Sequence, residues 1–71
     1  MEIKLRNNIG KIAEERGINP HQLALKTGIG ANAMYALVRG DTDPLWIKAA
    51  TLWRIAAVLG VKVDELLTVD E

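Results

Sequence analysis

Seventy-one residues, 49% of them hydrophobic, make one small domain whose core must be aliphatic, because Phe is absent. With no cysteine there is no disulfide framework, Cys-based zinc site or thiol nucleophile. The formal net charge is zero, whereas nucleic-acid domains are commonly basic. The charge is uneven, however. Residues 1–40 carry Lys4, Arg6, Lys11, Arg16, Lys26 and Arg39 against Glu2, Glu14 and Glu15, a net +3, and residues 41–71 carry a net −3. Such a split suits an oriented approach to phosphate.

The start, Met1–Lys4, is expected to be a short arm and is no signal peptide, and no apolar run approaches the ~20 residues of a membrane span. The expected compartment is the cytoplasm. From Leu5 to Arg16 the residues Leu5, Ile9, Ile12 and Ala13 recur at helical spacing, which predicts an amphipathic helix with Asn7, Asn8, Lys11, Glu14 and Glu15 outside. Gly10 costs this helix about 1 kcal/mol relative to Ala. Gly17 ends it. Asn19 is then a strong N-cap, Pro20 suits the first helical position, and Gln22 can complete a capping box. Leu23, Ala24 and Thr27 share one face, and Gly28 stops the run as a left-handed cap. Gly30 opens a second short helix that turns Met34, Leu37 and Val38 inward and ends at Gly40. Two short helices joined by so tight a turn must cross steeply, at roughly 90–120°. The pattern predicts a helix-turn-helix over about residues 19–39.

Asp41–Pro44 reads as a loop. A helix starting near Pro44 would bury Leu52, Ile55, Ala56 and Leu59. It would carry a second apolar stripe, Trp46, Ala50, Trp53 and Ala57, on roughly the opposite face. So small a domain has little left to cover that stripe, which predicts a dimer or partner interface there. Gly60 closes this helix. Val63–Leu67 forms a last one, with Lys62 a poor cap at its start, and 68–71 is expected to be a loose acidic tail. Catalysis is not expected. There is one His, no Gly-rich phosphate loop, and the acidic pairs Glu14-Glu15 and Asp64-Glu65 are sequence neighbours. His21 has no partner at metal-ligand spacing, so neither metal nor cofactor is expected.

From about Ile3 to Leu67 the chain resembles the λ-repressor-like (Cro/cI, Xre-type) helix-turn-helix family. The resemblance rests on Gly17-Ile18, Leu23-Ala24, Gly28-Ile29, Met34 with Leu37, Gly40, Thr51-Leu52, Ile55-Ala56, Leu59-Gly60-Val61 and Asp64-Glu65-Leu66-Leu67, in order. It implies an all-α, compact five-helix DNA-binding domain over residues 1–71. It further implies a transcriptional regulator, expected to be a repressor, that binds double-stranded DNA as a homodimer. By the resemblance, Ala31, Asn32, Tyr35 and Ala36 take base-facing positions, where Asn32 can pair with an adenine edge and alanine methyls can meet a thymine methyl. Arg39 takes a phosphate-contacting position. Pro20 departs from the family by standing where a Gln often anchors phosphate, so His21 or Gln22 must stand in, with Lys26 a further backbone candidate. The competing expectation keeps the fold and makes the chain an antitoxin-like protein-interaction module that uses the Trp46/Trp53 stripe.

Overall fold

In the computed structural model, which describes residues 3–70, the elements run β1 (Leu5–Asn7), α1 (Ile9–Glu15), α2 (Pro20–Thr27) and α3 (Ala31–Arg39). A 3₁₀ turn at Pro44–Trp46 precedes α4 (Ala49–Leu59), α5 (Val63–Leu66) and β2 (Leu67–Val69). The α2–α3 pair forms as its residues dictate. Asn19 Oδ1 accepts from the Gln22 amide at 2.8 Å while Gln22 Oε1 accepts from the Asn19 amide at 3.0 Å, a complete capping box. Gly28 closes α2 at φ 75°, a left-handed conformation that Ala would resist. Buried Thr27 donates its hydroxyl to the Leu23 carbonyl at 2.7 Å, so the polar group enters the core satisfied.

Every described helix contributes to one aliphatic core. Ile9 and Ala13 come from α1, Leu23 and Ala24 from α2, Met34 and Leu37 from α3, and Leu66 from α5. The predicted stripe of α4, Leu52, Ile55, Ala56 and Leu59, is buried throughout. Fully burying one such side chain contributes roughly 1.5–3 kcal/mol.

Four expectations are corrected, three by tertiary contacts and one by a local cap. The first helix does not begin at Leu5. Residues Leu5–Asn7 instead pair antiparallel with Leu67–Val69, in the register Leu5↔Val69, Arg6↔Thr68, Asn7↔Leu67. The expected five-helix architecture stands, and this short two-stranded sheet is added to it. Asn7 is not an outer residue of a helix either. Its Nδ2 donates to the Leu37 carbonyl and its Oδ1 accepts from the Ile9 amide, both at 2.8 Å, which turns the strand into α1 and ties it to α3.

The acidic tail is ordered where it is described. Thr68 and Val69 lie in β2, the Asp70 amide donates to the Lys4 carbonyl at 2.8 Å, and Arg6 Nη2 meets Asp70 Oδ1 at 2.6 Å. Of the expected arm and tail, Met1, Glu2 and Glu71 lie outside the described residues. The helix expected from Pro44 is also broken. Asp43 Oδ1 caps the 3₁₀ turn through the Leu45 amide at 3.0 Å, Ile47 and Lys48 are extended, and α4 starts only at Ala49. Lys62 has no side-chain acceptor to cap α5. Glu65 Oε2 accepts the Lys62 amide at 2.7 Å and supplies the reciprocal half of a capping box.

Candidate nucleic-acid interface

One side of α3 is left without a covering element. Met34, Leu37 and Val38 turn into the domain, so the positions between them point out. Asn32, Tyr35, Ala36 and Arg39 fall at i, i+3, i+4 and i+7 and make one outward stripe. Asn32 and Arg39 are exposed, Tyr35 is 40% exposed and Ala36 is half-buried. Ala31 is exposed but stands to one side of this stripe. Nine residues give α3 a length of about 13 Å, comparable with a B-DNA major groove about 12 Å wide. Only Arg39 on the stripe is charged. The stripe offers one amide side chain, one phenol, methyl surface and a guanidinium, groups able to hydrogen-bond or pack against base edges and a phosphate.

Shallow grooves run along both sides of the stripe. On the α2 side the lining includes His21, Leu25, Gly30 and Ala31. On the other side Ile29, Ala33 and Leu37 face Trp46, Lys48 and Thr51. The four backbone candidates are consequently not on one face. His21 borders α3. Gln22 and Lys26, one turn apart, fall on the opposite flank of α2, and Arg39 ends α3. Gln22 already uses its Oε1 in the capping box, which leaves its Nε2 as the donor available for an anion. Lys48 is not singled out in the sequence, because a helix starting near Pro44 would place it inside that helix. Its place across the groove from Ala33 emerges only once the loop after α3 is folded back.

The four-residue Trp stripe does not survive as one surface. Ala50, Trp53 and Ala57 form an exposed line on α4, with Trp53 67% exposed. Trp46 is 79% exposed but belongs to the 3₁₀ turn and borders Thr51. Thr51 and Trp53 are two positions apart on a helix, about 200° of arc, so the tryptophans flank α4 on opposite sides. The physical cause is the extended Ile47–Lys48 pair, which interrupts the helical phase that the sequence spacing assumed.

The two ion pairs among the described residues, Arg6–Asp70 and Arg39–Asp41, each join a base of the first forty residues to an acid beyond them. The basic half is thus partly neutralised in space. No helix among the described residues is long and apolar enough to cross a membrane.

A family model described as a Cro/C1-type HTH (helix-turn-helix) DNA-binding domain matches residues 8–71. No curated protein matches the chain.

Proposed function

The chain belongs to the Cro/C1-type helix-turn-helix DNA-binding family, and from that membership we propose that it is a sequence-specific transcriptional regulator of the cytoplasm. It catalyses nothing and represses by occupying double-stranded DNA that other proteins need. The observation that carries this reading is the uncovered α3 stripe with its single charge at one end. Solvated helix faces are usually richer in charge, and a groove lined by base edges suits an amide, a phenol and methyl groups better than bulk water does. In this reading α3 lies in the major groove. Ala31, Asn32, Tyr35 and Ala36 face bases, with Asn32 on an adenine, and His21, Gln22, Lys26 and Arg39 hold phosphates. A homodimer joined through Ala50, Trp53 and Ala57 on α4 presents two copies of α3 to half-sites roughly 34 Å apart.

The test is a salt titration of binding to A·T-rich and random duplexes. The parent binds with an affinity that falls steeply with salt, and Arg39→Ala reduces the salt slope by about one contact. Asn32→Ala costs about 1–3 kcal/mol on the preferred duplex and much less on the random one. Absence of binding at low salt, at concentrations where the chain is dimeric, would refute the reading.

A second reading keeps the fold and makes the chain an antitoxin-like subunit that binds another protein. The exposed Trp53 line favours it, as does Pro20, which brings neither an amide N–H nor a side-chain donor to the start of α2. Trp53→Arg separates the possibilities. In the regulator reading it dissociates the homodimer and leaves a monomer with only weak, salt-sensitive affinity for DNA. In the antitoxin-like reading it abolishes binding of the partner protein and leaves DNA affinity unchanged.

A further inference from the structure

Arg39 does not stand alone at the end of α3. Gly40, at φ 81°, reverses the chain, and the Asp41 amide returns to the Ala36 carbonyl at 2.9 Å. That bond pins the backbone of residue 41 beside the last helical turn, independently of its side chain. From there the Asp41 carboxylate accepts from Arg39 Nε at 3.0 Å. The contact uses one of the five guanidinium N–H groups. It leaves Nη1 and Nη2 without a hydrogen bond among the described residues. Those two amino groups together form a planar fork that matches two phosphate oxygens.

We infer that Asp41 is a positioning residue for DNA, holding the Arg39 guanidinium by Nε so that its Nη1–Nη2 edge stays open to a phosphate. The inference rests on the reading of Arg39 as a phosphate contact and adds a residue that charge alone would count against DNA. Two effects oppose each other here. The carboxylate repels the approaching phosphate, but Arg39 and Asp41 side chains are 65% and 60% exposed, so water and salt screen that repulsion. Against it stands the rotamer freedom of a long side chain, part of which the Nε contact removes before DNA arrives. If repulsion dominates, removing Asp41 strengthens binding; if positioning dominates, removing it weakens binding.

The experiment measures the affinity of the full chain for a fluorescein-labelled A·T-rich duplex at fixed salt. It compares the parent with Asp41→Ala, Asp41→Asn, Arg39→Ala and the Arg39→Ala/Asp41→Ala double variant. Asp41→Ala weakens binding about two- to fivefold, the range of an exposed ion pair. Asp41→Asn keeps an oxygen that can accept from Nε and drops the charge, so it binds at least as tightly as the parent. With Arg39 already Ala, adding Asp41→Ala weakens nothing further. Equal or tighter binding by Asp41→Ala, or a loss that persists without Arg39, overturns the positioning role while leaving the DNA reading intact. Failure of the parent to bind any duplex at low salt overturns both. Parent binding that is indifferent to Arg39→Ala overturns the phosphate contact and the role of Asp41 with it.

Discussion

Gly10 shows how far a residue's meaning depends on what it touches. In isolation it is a weak point of α1, and Ala in its place gains about 1 kcal/mol of helix propensity. In the folded domain a Cβ there would come within 2.6 Å of the Val38 carbonyl oxygen, a backbone atom of α3 that cannot step aside cheaply. Gly10→Ala is therefore expected to lower stability by about 1–3 kcal/mol, the scale of overpacking, in urea unfolding monitored by tryptophan fluorescence. A gain would mean that α1 and α3 sit further apart than described. Asn7 carries a comparable message with the opposite chemistry. Its amide bridges the Leu37 carbonyl and the Ile9 amide. Asn7→Ala leaves the Ile9 amide unpaired and the Leu37 carbonyl with only the Gly40 amide at 3.2 Å, and costs about 1–3 kcal/mol.

At the scale of elements, local grammar decided α2 and α3 almost completely. The cap, the box and the left-handed glycines act within a few residues of chain, which is why they can be read without the fold. Asn19→Ala should cost about 1 kcal/mol, as N-cap losses do, and should accelerate amide exchange in α2 first. The element between Gly40 and α4 was misread because Pro44 permits either a helix start or a 3₁₀ turn. The Asp43 cap and the extended Ile47–Lys48 pair favour the turn. That choice moved Trp46 off α4 and divided a predicted four-residue interface into two surfaces. It follows that Trp53→Arg and Trp46→Arg should not behave alike. In sedimentation equilibrium the first is expected to dissociate the proposed homodimer, and the second to leave it largely intact.

For the whole molecule, the two ends of the described chain are clasped. The β1–β2 pair is too short to persist alone. It is held by the Asn8 amide on the Leu66 carbonyl at 2.8 Å and by the Asn8 side chain on the Glu65 carbonyl and Thr68 Oγ1. Asn8→Ala is expected to cost about 1 kcal/mol, near the mean for a lost hydrogen bond. It should raise hydrogen exchange across β1 and β2 before the core amides of α4 respond. Arg6→Ala removes only a solvent-exposed ion pair, so its effect should stay below about 1 kcal/mol.

Hydrophobic spacing and turn chemistry, taken alone, determined the number and order of the helices, the aliphatic core and the inward residues of α3. Those signals repeat with helical period or complete themselves within four or five residues, so no distant partner is needed to read them. The candidate site was legible by another route: the family resemblance pointed to Ala31, Asn32, Tyr35, Ala36 and Arg39, while spacing gave only the inward Met34, Leu37 and Val38. Only the tertiary structure decided that Leu5–Asn7 is a strand, since its partner lies sixty or more residues away in sequence and an apolar residue every fourth position fits a helix equally well. It alone decided that Gly10 is a contact rather than a flaw, and that the Asn7 side chain ties β1 to the end of α3. Each of these depends on where a second segment of chain comes to rest, and spacing along the first segment carries no record of that.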